Sequence, residues 1–159
     1  MEAKKYMKKK TVKIIFAFLF TLMTAFIWKN SAKDAVESTN QSSGFVAFFL
    51  KLGICSDIDM ATVIVRKLAH FTEFFMQSAF LSVCLLEDFP KRLIYVLFSG
   101  LLTASIDEFI QSFFAGRGSL VSDIFIDFSG TVFCVIIFML LWLLIKKFTE
   151  KQRGKQIWD

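Results

Sequence analysis

The sequence predicts an all-α integral membrane protein, a four-helix bundle with a short interfacial helix in its outer loop. Three observations carry this. The 159 residues are 55% hydrophobic with 21 phenylalanines and a mean hydropathy of +0.58, more apolar surface than one soluble core of that length can hide. Apolar stretches recur, each near or above the roughly 20 residues that a hydrocarbon core requires. Lysine and arginine gather at alternate ends of those stretches, the pattern of the positive-inside rule.

The first span is expected over Val12 to Trp28, behind Lys4, Lys5, Lys8, Lys9, Lys10 and Lys13. A basic start before an apolar run also resembles a signal peptide, but Asn30, Ser31 and Ala32 make a weak cleavage site, so the expectation is an uncleaved signal-anchor. An outer loop follows. It opens polar from Ser31 to Ser43, then runs apolar from Gly44 to Gly53, too short to span and suited to a short helix at the interface. That segment is either a structural cover or a lid.

The second and third spans are expected over Leu68 to Leu86 and Leu93 to Phe114, joined by a short polar link with the one proline, Pro90, and with Lys91 and Arg92. The fourth is expected over Val121 to Ile145, followed by Lys146, Lys147, Lys151, Arg153 and Lys155. Both termini are then cytoplasmic, and the loop from Lys29 to Val65 and the turn at Gly116 face outward. No internal repeat divides residues 1–159, so one domain is expected. A net charge of +5 could suggest nucleic acid, but the aromatic residues lie in lipid-facing runs rather than on a folded basic face, which excludes that class. Cys55, Cys84 and Cys134 form neither a disulfide framework nor a paired-thiolate metal site. Tyr95, Trp28, Trp142 and Trp158 are read as interface markers.

Acids inside the apolar stretches point to a site. A charge near the middle of a spanning helix costs about 3 kcal/mol on insertion scales, so such residues usually face a protein interior. With the topology above, the second span begins outside, the third ends outside and the fourth begins outside, so their polar residues share one depth. Arg66, His70, Glu73 and Gln77 form one helical stripe; Asp107 and Gln111 form another, with Glu108 about 100° around the helix. Asp123, Asp127, Gly130 and Cys134 form a third. Three stripes at one level imply a polar cavity in the outer half of the bundle. In the turn, Gly116 and Gly118 permit a tight reversal, Ser119 or Ser122 could cap the fourth helix, and Arg117 stands at the rim, where it could clamp a phosphate or carboxylate or pair with Asp107 or Asp123.

Glu73, Asp107, Glu108, Asp123 and Asp127 outnumber Arg66, Lys67 and Arg117, with His70 able to take either charge state. Two carboxylates about 5 Å apart at an effective dielectric of about 20 repel by about 3 kcal/mol, so the cluster must hold a proton, a cation or a cationic ligand. Charge alone does not choose among them. His70, Glu73, Asp107, Glu108, Asp123 and Asp127 are ligand types for a divalent cation, although a single histidine makes a poor zinc site. An ion-pair network that only staples the helices accounts for the same residues. Ser105, Ser119 and Ser122 lie in no nucleophile elbow and are read as packing or capping residues.

Three blocks carry a family resemblance: Arg66-Lys-Leu-Ala-His70-Phe-Thr-Glu73-Phe, Asp107-Glu108-Phe-Ile-Gln111-Ser-Phe-Phe-Ala-Gly-Arg117, and Ser122-Asp123-Ile-Phe-Ile-Asp127-Phe-Ser-Gly130. In order and spacing they resemble the signature blocks of the VanZ-like membrane proteins. Phe74 stands where that family often has tyrosine, Ala115 where proline often precedes Gly-Arg, and Asp127 where it carries asparagine or aspartate. The resemblance implies a small, multi-pass protein of the bacterial cytoplasmic membrane. The family is named for a member linked to low-level resistance to teicoplanin, a glycopeptide acting on cell-wall precursors.

Two functions follow as expectations. In the first, an outward-facing polar cavity binds or modifies an envelope lipid or lipid-linked cell-wall precursor, with effects on glycopeptide susceptibility among the outcomes the resemblance implies. Arg66, Lys67, His70, Gln111, Arg117, Ser122, Asp123 and Asp127 would then contact the ligand. In the second, a metal-dependent intramembrane hydrolase or transferase acts on a lipid-linked substrate, with Glu73 or Glu108 as general base and His70, Asp107, Asp123 and Asp127 as metal or proton partners. A transporter ranks below both, since four spans without repeats or broken helices would need to oligomerise to form a pathway.

Overall fold

The computed structural model describes residues 2–118 and 120–155, and these form helices α1 (Glu2–Ser31), α2 (Ala35–Lys51), α3 (Ile58–Cys84), α4 (Phe89–Gln111) and α5 (Val121–Lys155), with a 3-10 turn at Leu86–Asp88. The all-helical expectation holds among the described residues. Among the described residues, three segments are long and apolar enough to cross a membrane: Lys9–Ser31, Leu86–Gln111 and Val121–Glu150. The expected second span is not among them. It belongs to α3, which starts ten residues before Leu68 and takes in Asp59, Arg66 and Lys67. Much of α3's polarity faces inward, because Gln77, Ser78 and Ser82 are all buried.

Local chemistry sets most boundaries. Asp34 caps α2 by accepting the Glu37 N–H at 2.8 Å, so the polar stretch expected as open loop is the first half of a helix that runs on through Gly44. Asp57 caps α3 in the same manner from Asp59, and Gly53 supplies the left-handed conformation between α2 and α3 at φ +68°. Pro90 lies in the first turn of α4 rather than in a link, where its missing N–H costs no helical hydrogen bond. At its other end α4 stops at Gln111, short of Phe114, and Gly116 at φ +72° turns the chain toward α5.

Helix α3 is the axis, with α1, α2, α4 and α5 all packed against it. It meets α5 closely because Gly130 has no side chain: a Cβ there would collide with the carbonyl oxygen of Phe71. Gly100 does the same for α4 against Thr131 of α5. Small residues let helix backbones approach where lipid removes the hydrophobic incentive to associate. A polar layer adds direction. Gln77 donates to Thr24 Oγ1 at 2.7 Å and Thr103 Oγ1 at 3.1 Å, and Ser78 donates to Thr131 at 2.9 Å, tying α1, α3, α4 and α5 at one level.

Apolar packing fills in around these ties. Ile27, Phe74 and Ala104 form one buried cluster, against which Trp28 packs, so Trp28 also serves the core. Phe89, Val96 and Val135 form another near the α3–α4 junction. Val46, Cys55, Ala61 and Val65 join α2 to α3. Large apolar side chains such as Phe18, Phe98, Phe125 and Leu140 stay exposed, the exterior a hydrocarbon solvent favours. The three cysteines are free. At the end remote from Arg117, Lys9 and Lys13 reach Glu87 at 3.0 and 2.5 Å and hold the start of α1 to the α3–α4 link.

Candidate functional site

At the opposite end, α3, α4 and α5 converge with the last turn of α1. A cavity of about 340 Å³ opens there, bounded by Arg66, Lys67 and His70 of α3, Glu108 and Gln111 of α4, and Arg117 of the turn. Asp123 and Asp127 of α5 complete its polar wall. A smaller cavity of about 220 Å³ lies toward α1 and α2, with Asn30 and Glu73 on its wall. Arg66, His70 and Arg117 line both, so they form the partition between the two.

His70 also belongs to a cluster with two buried acids. His70 Nδ1 lies 3.2 Å from an Asp127 oxygen and 3.8 Å from an Asp107 oxygen, joining α3 to α5 and to α4. Asp107 is wholly buried and Asp127 is 1% exposed, whereas the His70 side chain keeps 19% of its surface open. Gln111 orients Asp107 by donating to Oδ2 at 2.7 Å, and is itself close to the buried Ser31 hydroxyl at 3.4 Å. Among the described residues, Asp107 Oδ1 and Asp127 Oδ2 have no hydrogen-bond partner.

The remaining candidates take separate positions. Glu73 accepts from the Asn30 side chain at 3.0 Å, on the α1 side of His70. Glu108 is buried and its Oε2 accepts the Leu120 N–H at 3.1 Å, so one of its bonds fastens the chain entering α5. Lys67 and Asp123 pair at 3.2 Å at the surface, with Ser122 3.4 Å from the same carboxylate oxygen. Ser122 lies inside α5 and is exposed, and Ser119 and Trp158 lie outside the described residues. Ser105 is exposed and bonds back to the Leu101 carbonyl, away from the cluster.

Arg117 departs from the expected pairing with Asp107 or Asp123. Its Nη1 donates to the carbonyls of Asn30 and Ser31 at 3.2 and 3.1 Å, capping the negative end of α1. The half-buried guanidinium is pushed below its ordinary pKa by burial and by Arg66 beside it. Its Nε has no hydrogen-bond partner among the described residues. Arg66 makes no hydrogen bond or ion pair within the described residues.

Asn30 and Ser31 are neighbours of the candidate site that the sequence marks only as a weak cleavage signal. Their position at the α1 terminus, against Glu73, Gln111 and Arg117, depends on how α1 packs. A short polar pair closing an apolar run was the available signal, and it specifies no partner.

The family model described as VanZ/LLP1 matches residues 16–144, which include every residue of the cluster. No curated protein matches the chain, and no solved structure does.

Proposed function

The chain belongs to the VanZ/LLP1 family, and from that premise we propose that it binds the phosphate-bearing headgroup of an envelope lipid or lipid-linked cell-wall precursor in an outward-facing cavity. The observation that carries this is the pair Arg66 and Arg117. Two like charges stand beside each other on the partition of two cavities; Arg66 has no hydrogen-bonded acidic partner among the described residues, and Arg117 donates to neutral carbonyls while Asp107, Glu108 and Glu73 act on it only through space. An oxyanion between them relieves the repulsion and gains charge-assisted hydrogen bonds, and guanidinium forks match phosphate oxygens. Lys67, at the mouth, adds attraction while paired to Asp123.

In this reading α3 spans the membrane as the fourth helix of a bundle. Its 27 residues reach about 40 Å, longer than a hydrocarbon core of about 30 Å, and its four packed neighbours support placing it inside. The basic start of α1, Lys91 and Arg92, and the lysines after Ile145 support cytoplasmic termini in the bacterial cytoplasmic membrane, which turns the cavity toward the outer leaflet. Acyl chains would lie along the exposed apolar helices while the headgroup enters between α3 and α5.

The test uses detergent-purified protein titrated with dioctanoyl phosphatidic acid, dioctanoylglycerol and inorganic phosphate. A rise in Tm with the phosphatidic acid alone supports a lipid headgroup site, and a rise with free phosphate alone reassigns the site to a soluble anion. Equal responses to phosphatidic acid and dioctanoylglycerol, or retention of the effect in Arg66→Ala and Arg117→Ala, overturn it. In cells, teicoplanin susceptibility should shift on expression of the wild type and not of the Arg66→Ala, Arg117→Ala double variant.

A further inference from the structure

We propose that His70, Asp107 and Asp127 form a divalent-cation site of the Mn²⁺ or Zn²⁺ class at the floor of the larger cavity. It requires only these three side chains and stands independently of the anion site above it. The ligand atoms all lie within 4.8 Å of one another and come from α3, α4 and α5, so the bundle and not a flexible loop fixes their spacing. Metal bonds of about 2.0 to 2.2 Å place neighbouring ligands about 2.8 to 3.6 Å apart in octahedral or tetrahedral geometry. The His70–Asp127 separation of 3.2 Å sits at this scale, and the His70–Asp107 separation of 3.8 Å lies slightly above it, so Asp107 would close by a few tenths of an ångström on an ion.

A hydrogen-bonded ion pair would account for proximity but not for the rest of the chemistry. One imidazole faces two buried carboxylates, and each carboxylate also holds an oxygen, Asp107 Oδ1 and Asp127 Oδ2, with no hydrogen-bond partner among the described residues. Buried acceptors left unbonded are costly, and a divalent ion compensates them together with the excess negative charge. Gln111 supplies the outer contact by which metal-binding carboxylates are commonly oriented, its amide 2.7 Å from Asp107 Oδ2. Mixed imidazole and carboxylate ligation suits Mn²⁺ or Zn²⁺ better than Ca²⁺ or Mg²⁺, which prefer oxygen throughout. His70 and Asp127 line the cavity, so an ion has a route in and keeps open coordination positions facing whatever the cavity holds.

The experiment strips purified protein with EDTA, removes the chelator and titrates MnCl₂, reading free Mn²⁺ by its EPR signal and confirming with ZnCl₂ competition. One Mn²⁺ bound per chain and displaced by Zn²⁺ is expected. Asp127→Asn and His70→Gln should weaken binding at least tenfold, Gln111→Leu by about 10- to 100-fold, and Glu87→Gln at the far end not at all. Because a triad variant could fail to fold, the wild type is also tested for a Tm rise with Mn²⁺ and none with equal Ca²⁺. No Mn²⁺ bound on titration and no Tm rise in the wild type, or undiminished binding by folded Asp127→Asn, overturns the proposal. Phosphatidic acid binding by EDTA-treated protein is scored separately, so loss of the cation site leaves the headgroup result intact and the reverse also holds.

Discussion

Asn30, one residue before the end of α1, donates its side-chain amide to Glu73 Oε1 of α3 at 3.0 Å. The first helix therefore closes one wall of the site. Removing the amide leaves a half-buried carboxylate without that donor, at a cost of about 1 to 3 kcal/mol. Asn30→Ala and Glu73→Ala should each lower thermal stability, and the double variant should fall short of their sum by about 0.5 to 3 kcal/mol. Additive effects in that cycle would show that the contact carries no energy.

Two glycine substitutions should change stability in opposite directions. At Gly130 a Cβ meets the Phe71 carbonyl, and neither backbone can yield without parting α3 from α5. Gly130→Ala should cost about 1 to 3 kcal/mol. At Gly44, inside α2, nothing lies within 4 Å of the added carbon, so Gly44→Ala should stabilise the helix by about 0.5 to 1 kcal/mol. Unfolding midpoints in detergent read both, and a neutral Gly44→Ala would argue against the helix through that position.

Lys67 and Asp123 should matter little to folding. Their side chains keep 45% and 30% of their surface open, where an ion pair contributes under about 1 kcal/mol and salt screens it. Lys67→Ala is expected to leave the midpoint almost unmoved while weakening phosphatidic acid binding at low salt and flattening its salt sensitivity. A large loss of stability would mean the pair is buried in the membrane-embedded protein.

Arg117→Lys should not behave as a conservative change. The guanidinium bridges two successive carbonyls of α1, and an ammonium lacks that planar fork. Hydrogen bonds from a charged group contribute about 1.5 to 3 kcal/mol, so the variant should lose a comparable amount. Proteolysis at the Gly116 to Gly118 turn should accelerate with it. Unchanged cleavage would mean that the turn is held chiefly by the Ala35 N–H bond to the Ala115 carbonyl.

Gln77→Leu should test the polar layer. Thr24 and Thr103 would lose a shared donor, at roughly 0.6 to 1.7 kcal/mol by comparison with interhelical bonds in membranes. The sequence places Gln77 on the same stripe as His70 and Glu73, yet the structure uses it below the cluster to align helices. Spacing along α3 identifies the shared face, and the neighbours opposite that face divide site from scaffold.

The sequence by itself determined that the chain is helical, strongly apolar and interrupted by polar stripes, because hydrophobic runs and the 3.6-residue period are local properties. It also marked the blocks around His70, Asp107 and Asp127, since ionisable residues in apolar helices stand out wherever the helices pack. Only the tertiary structure decided which acids meet His70, that Arg117 turns to the end of α1, and that Asn30 and Ser31 belong to the site. These depend on the azimuth and offset of one helix against another, set by close contacts such as Gly130 on Phe71 and Gly100 on Thr131. A stripe gives a side chain's direction relative to its own helix; its partner depends on packing between residues far apart in the chain.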